Sequence, residues 1–259
     1  FLTDTSKLIF DREALLGVSI TGWMNNPDIL FDENILEKGA KIVKEVNREV
    51  AQIIGINAAA RTTCVKPSGN ASVLLQTASG IHAEHSNMYI RNVQMNKESE
   101  ITQAIMKTNP YMVEDSVWSA GGTDVVVSFP ILPKKGSMYK DDLLGVKHLE
   151  LVKKAQKHWV EAGTNEDLCA DKGVRHNVSN TIIVDDWDEV EKYVFENRHS
   201  FAGISFLAMS GDKDYNQAPN TAVITAKDMV KKYGNAAVFA SGMVVDALKC
   251  FNNLWDACS

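Results

Sequence analysis

Between residues 178 and 209 the chain changes period twice, and this restricts its fold more than any other feature. A short apolar run over 178–184 reads as a strand. A stretch with helical spacing follows over 187–197, and a second short apolar run covers 203–209. Two strands separated by one helix of that length suit a right-handed βαβ crossover, which joins parallel strands. A parallel pair needs helices on its faces, so the surrounding sequence must supply them.

It does so on both sides. Asp32 is placed to cap a helix running to Ile54, with Leu36, Ala40, Val43, Val50 and Ile54 on one face. A short strand is expected over 62–66, then Pro67-Ser68-Gly69 and an apolar helix over 70–78. Residues 89–95 read as a strand and 98–107 as a helix. The run over 123–129, with three consecutive valines, reads as a buried strand ended by Pro130, Pro133 and Gly136. An amphipathic helix is expected over 144–160, with Leu149, Val152, Ala155 and Trp159 at helical spacing. The tail over 225–257 reads as helical with a break at Gly234. No repeat, low-complexity tract or flexible linker interrupts the pattern. The expectation is an α/β fold with a mainly parallel sheet and flanking helices.

Composition narrows the function classes. With 259 residues, 45% of them hydrophobic, the chain can bury a large core. The formal net charge of −6 and the absence of any block of like charge argue against a nucleic-acid-binding face. No apolar run is long enough to span a membrane, so no membrane partner is expected. The start, Phe1-Leu2-Thr3-Asp4-Thr5-Ser6-Lys7, has neither the pattern of a signal peptide nor an initiating Met. Four widely spaced cysteines, Cys64, Cys169, Cys250 and Cys258, make a disulfide framework improbable and point to a reducing cytoplasm.

The segment Cys64-Val65-Lys66-Pro67-Ser68-Gly69-Asn70-Ala71-Ser72-Val73 carries the most chemistry. A strand enters it, Pro67 and Gly69 allow a tight turn, and a helix leaves it. The first backbone N–H groups of such a helix have no intrahelical partner, and the helix dipole there favours an anion. The hydroxyls of Ser68 and Ser72 and the amide of Asn70 are short enough to reach phosphate oxygens. Ser and Asn also favour ordinary helix caps, so the residues alone leave both readings open. No Walker loop occurs, and triphosphate hydrolysis is not supported.

Further on, Gly80-Ile81-His82-Ala83-Glu84-His85 admits three readings. His82-x-Glu84 has the H-x-E form of zinc deaminases, but the required P-C-x-x-C is nowhere in the chain. His82 and His85 could ligate a metal, yet no further Cys/His cluster supports this. The third reading is a glycine-hinged loop, Gly80 to His82, lining a pocket. Cys64 ends a strand and reads as a small hydrophobe, and no cysteine has a nucleophile signature.

Taken in order, these segments resemble adenosylcobalamin-dependent (class II) ribonucleotide reductases. The resemblance rests on Val65-Lys66-Pro67-Ser68-Gly69, Gly80-Ile81-His82 and Tyr89-Ile90-Arg91-Asn92-Val93. It continues with Thr123-Asp124-Val125-Val126-Val127, Leu149-Glu150-Leu151, Asn177-Val178-Ser179, Gly203-Ile204-Ser205-Phe206-Leu207 and Gln217-Ala218-Pro219. Upstream, Gly17-Val18-Ser19-Ile20-Thr21-Gly22 is similar to the strand that follows the family's radical-cysteine loop. The ribonucleoside-triphosphate reductase branch is the most similar in flavour.

The resemblance implies the second half of a ten-stranded α/β barrel over residues 1–222, with 223–259 a C-terminal helical segment. It implies thiyl-radical reduction of ribonucleotides to deoxyribonucleotides, with adenosylcobalamin as cofactor and a thioredoxin-like dithiol as reductant. Pro67, Ser68, Gly69, Asn70, Ala71 and Ser72 would cradle the substrate phosphates, and Gly80, Ile81 and His82 would line the same pocket. Asn70 stands where the family pattern has Thr, and Ala83 where it has Pro. No Asn-x-Cys-x-Glu radical motif occurs in the sequence. No catalytic residue is therefore assigned, and a complementary N-terminal half of the reductase is the expected partner. The alternative is a half-barrel module that binds a nucleotide or a protein partner without radical chemistry.

Overall fold

A computed structural model of the chain describes residues 1–131, 133–209 and 217–222. In chain order its helices are α1 (Asp4–Glu13), α2 (Pro27–Leu30), α3 (Glu33–Ile54), α4 (Gly69–Leu74), α5 (Glu100–Thr108), α6 (Gly145–Ala155) and α7 (Trp187–Glu196). The strands are β1 (Val18–Ser19), β2 (Thr63–Cys64), β3 (Tyr89–Asn96), β4 (Val113–Asp115), β5 (Asp124–Ile131), β6 (Ile182–Val184), β7 (Phe206–Ala208) and β8 (Asn220–Ala222). The described residues divide into two compact units, Phe1–Glu84 with Gly136–Met209, and His85–Lys135 with 217–222.

The first unit holds the parallel strands. β1 pairs with β2, Val18 opposite Thr63 and Ser19 opposite Cys64, and a parallel bridge joins Val65 to Val178. β6 and β7 pair in parallel with α7 between them in sequence, which is the expected βαβ unit. Asp186 starts α7 by accepting hydrogen bonds from the N–H groups of Asp188 and Glu189. α3 begins as expected, with Asp32 accepting from the Ile35 N–H, and ends at Gly55 in the left-handed region. Leu36 and Ala40 on α3 are buried, but Val50 and Ile54, expected on the same face, are exposed. The core joins Trp23, Met24, Leu36, Val65, Leu149, Val152, Trp159, Val178, Ile182 and Val190.

The helix expected over 144–160 is α only as far as Ala155 and continues as a π-helical turn over Gln156–Glu161. Wider turns of this kind insert one residue and turn the side chains that follow. Here they bring Trp159 against β2, where its indole N–H donates to the Cys64 carbonyl and its own carbonyl accepts from the Thr63 hydroxyl.

The second unit corrects the expectation of a mainly parallel sheet. Its strands run in the order β4-β5-β3-β8 with every pair antiparallel, Val93 lying opposite Val127. The valine run was expected as a buried strand, and Val125, Val126 and Val127 are indeed all buried. A central strand covered on both faces has the same uninterrupted apolar pattern whichever way its neighbours run, so its direction was not readable. Met112, Val125 and Val127 form the small core of this unit, with Met95, Ile105 and Phe129 against them. Among the described residues no helix is long and apolar enough to cross a membrane. The helices expected over 225–257 lie outside the described residues.

Candidate functional site

Three chain segments of the first unit meet where β1 and β2 end. The first runs from Ser19 to Asn25, the second from Lys66 to Ser72, and the third from Thr77 to His82. Both segments singled out from sequence are thus brought together. Gly80 has φ +56°, and a Cβ there would lie 2.8 Å from the Lys66 carbonyl oxygen. Only glycine allows the 80–82 loop to approach the turn so closely.

The hydrogen bonds joining the segments come largely from residues the sequence reading did not single out as site residues. Thr21 is the centre. Its hydroxyl donates to the Ala78 carbonyl at 2.9 Å and accepts the Gly80 N–H at 2.9 Å. It also lies 2.7 Å from the Ser68 hydroxyl. A hydroxyl has one proton, and Thr21 commits its own to Ala78, so Ser68 is the donor in that pair. Around this centre, the Ser68 N–H donates to Ser79 Oγ and the Lys66 N–H to Ser19 Oγ. Asn25, buried, uses all of its amide. Its Oδ1 accepts from the Thr77 hydroxyl and the Ala78 N–H, and its Nδ2 donates to Glu84 and Ser137.

The turn itself is open. Pro67, Gly69 and Ala71 are exposed, and no atom lies within 4 Å of the position a Gly69 Cβ would take. Gly69 is not among the residues with positive φ. Its small size therefore leaves free space above the turn and does not serve a strained backbone. The N–H groups of Gly69, Asn70 and Ala71 precede the first intrahelical bond, which runs from Ser72 N to Ser68 O. Ser72 is buried, and its hydroxyl turns back onto the Gly69 carbonyl at 3.1 Å.

The 80–82 loop is anchored from behind. Ile81 is fully buried, and its carbonyl accepts from Nε2 of His148 on α6 at 3.1 Å. Burial first, with nearby His82 adding to it and the bond to Ile81 opposing it, holds the His148 pKa down to about 4. His148 is therefore neutral at pH 7, with its proton on Nε2. His82 donates from Nδ1 to the Ser79 carbonyl. Among the described residues no group of three or more His, Cys, Asp or Glu is arranged to hold a metal ion. Cys64 is half-buried, and burial raises its thiol pKa; Cys169 is buried near the carbonyls of Asn165 and Ala60. Cys250 and Cys258 lie outside the described residues.

No protein-family model matches the chain. It is 28% identical over 163 residues to a probable adenosylcobalamin-dependent ribonucleoside-triphosphate reductase of Dictyostelium discoideum, which covers 61% of this chain and 21% of that protein. It is 24% identical over 224 residues to an adenosylcobalamin-dependent ribonucleoside-triphosphate reductase of Euglena gracilis, covering 84% of this chain and 28% of the relative. The chain thus spans about a quarter of the length of these curated relatives. A crystal structure of a B12-dependent (class II) ribonucleotide reductase shares the fold, with a TM-score of 0.71 and 15% identity over 94% of this chain and 36% of that one. In sequence the chain is similar to adenosylcobalamin-dependent ribonucleoside-triphosphate reductases, and in fold to a class II ribonucleotide reductase.

Proposed function

We propose that the chain forms part of a cobalamin-dependent ribonucleotide reductase, the second half of its ten-stranded barrel, and supplies the turn that holds the substrate phosphates. The observation that carries this reading is the pair of loops tied together by Thr21 beneath an open turn. Three backbone N–H groups, those of Gly69, Asn70 and Ala71, face no intrahelical acceptor there, and a phosphate oxygen can take their place as acceptor. The Ser68 proton is already given to Thr21 and the Ser72 proton to Gly69, so the backbone supplies the principal donors. The loop Gly80 to His82, fixed by Thr21 in front and His148 behind, forms a rigid wall beside the turn.

Short hydroxyls and amide N–H groups on an open turn suit a phosphate and not a corrin ring. Adenosylcobalamin would supply the radical when bound, and we place it with the remainder of the reductase. The complementary N-terminal half and a thioredoxin-like dithiol are the partners of the same proposal. Within it this chain binds and orients the nucleotide.

Calorimetric titration of ATP and of adenosine tests the reading, with the chain both alone and joined to a complementary half. ATP should bind and adenosine should bind at least about tenfold more weakly, since the contact is to phosphate. Equal affinities would reduce the turn to an ordinary helix cap.

A further inference from the structure

We infer that Asn25 is a positioning residue that couples the 77–82 loop of the candidate site to the two segments through which the chain leaves the first unit and returns to it. The chain departs after Glu84 and re-enters at Gly136. The two crossings are tied side by side, the Glu84 N–H donating to the Met138 carbonyl and the Lys140 N–H to the Glu84 carbonyl. The short turn Trp23–Asn25 stands between this pair and the loop. On its loop side, the N–H groups of Gly22 and Trp23 donate to the carbonyls of Ala78 and Gly80. On its crossing side, the Met24 carbonyl accepts from the Met138 N–H. Trp23 and Met24 are fully buried, so the turn cannot shift without disturbing the core.

Asn25 repeats this division within one side chain. The Ala78 N–H can only donate, which fixes Oδ1 on the loop side, where it also accepts from the Thr77 hydroxyl. Nδ2 then faces the crossings and gives its protons to the Glu84 carboxylate and the Ser137 hydroxyl. Both lone pairs and both protons are thereby used. The residue is only 5% exposed, so water has little access to replace a lost partner. The amide is planar and rigid. A displacement of the partners on one side leaves a buried polar group unpaired unless the partners on the other side follow. Ser137 belongs to neither the 67–72 turn nor the 77–82 loop, yet through Asn25 it bears on the loop that walls the turn.

The coupling stands on these bonds, while its consequence for nucleotide binding rests on the function proposed above, and two readouts keep the two apart. The first is amide hydrogen exchange of the full chain without ligand. Ser137→Ala, on the crossing side, should speed exchange at Ala78 and Gly80 at least about threefold. Thr77→Val, on the loop side, should reciprocally speed it at Met138 and Lys140. Asn25→Asp keeps the acceptor for the loop and loses the donors toward Glu84 and Ser137. In that background the effect of Ser137→Ala at Gly80 should disappear, which a role confined to local packing does not produce. Circular dichroism checks that each variant is folded. The second readout is ATP. Calorimetry should give Ser137→Ala an ATP affinity about threefold below that of the parent chain, and ATP should slow exchange at Met138 and Lys140. Exchange changes confined to the side that carries the substitution overturn the inference, whether or not ATP binds. So does ATP that binds without slowing exchange at Met138 and Lys140. Reciprocal changes in a chain that binds no ATP uphold the coupling and refute the nucleotide reading instead.

Discussion

Thr21 has one proton to give and is asked to satisfy three groups from two different loops. Removing its hydroxyl leaves the Gly80 N–H and the Ala78 carbonyl without that partner and releases the Ser68 hydroxyl. Thr21→Val should therefore cost about 1–3 kcal/mol of stability and weaken ATP binding, while Thr21→Ser should retain most of both. Urea denaturation and calorimetry measure the two effects. The glycines beside it play different parts. Gly69 has open space and no positive φ, so Gly69→Val should leave the melting point nearly unchanged yet hinder approach of an anion, lowering ATP affinity about tenfold. Gly22 has φ +76°, and a Cβ there would stand 2.2 Å from Thr77 Oγ1. Gly22→Ala should then destabilise the fold by about 1–3 kcal/mol, seen as a lowered melting point. Turn glycines look alike in sequence, and only the backbone conformation and the neighbours across the turn tell them apart.

His148 makes the site sensitive to acid. Its folded pKa, about 4, lies below the usual value near 6.5 because the ring is buried. Between those values the unfolded chain binds the proton and the folded chain does not. His148 therefore leaves stability intact above about pH 6.5 and erodes it as pH falls toward 4, by an amount on the order of 3 kcal/mol. Urea denaturation at pH 7 and at pH 5 should show the loss, and His148→Gln should flatten this part of the pH dependence. A pH profile the same with and without His148 would contradict the assignment.

Among the elements, α3 was readable because Asp32 caps its first turn, and α7 because its residues keep helical spacing between two short apolar runs. Asp32→Ala should cost about 1 kcal/mol, measured by thermal unfolding, since the Ile35 N–H loses its acceptor. The break of α6 into a π turn was not readable. Its spacing through Trp159 is that of a continuing α-helix, and the reason for the change lies in β2, where the Thr63 hydroxyl donates to the Trp159 carbonyl and the Cys64 carbonyl accepts from the Trp159 indole N–H. In the second unit Gln217, at φ +60°, donates to Glu114 and to the Asp115 carbonyl and accepts from the Val117 N–H. Bonds between residues a hundred positions apart leave no trace in local periodicity. Gln217→Ala should loosen β4, seen as faster amide exchange at Val113–Asp115 with little change in the first unit.

For the whole molecule, relatives several times longer frame what 259 residues can do. The sequence has no Asn-x-Cys-x-Glu motif, and hydrogen abstraction from a ribose needs a thiyl radical held against it. The chain by itself, given adenosylcobalamin, a dithiol and ATP, should form no deoxyribonucleotide. Turnover under those conditions would refute its assignment as a substrate-binding part only.

The sequence by itself determined the α/β class, the βαβ unit over 178–209, the start of α3 and the strand–turn–helix at Pro67 to Ser72. Each is written in local period, capping residues or turn chemistry, which act within a few positions of one another. It also carried the likeness to the reductases through the order of its motifs. The tertiary structure alone decided that the valine strand runs antiparallel, because an uninterrupted apolar run fits either direction. It decided that Thr21, Asn25 and His148 hold the two loops, because hydrogen bonds between segments 47 to 67 positions apart depend on which strand ends meet. The same packing turned Leu36 and Ala40 toward the core and left Ile42, Val46 and Ile53 outside, although one helical period lists them all as apolar.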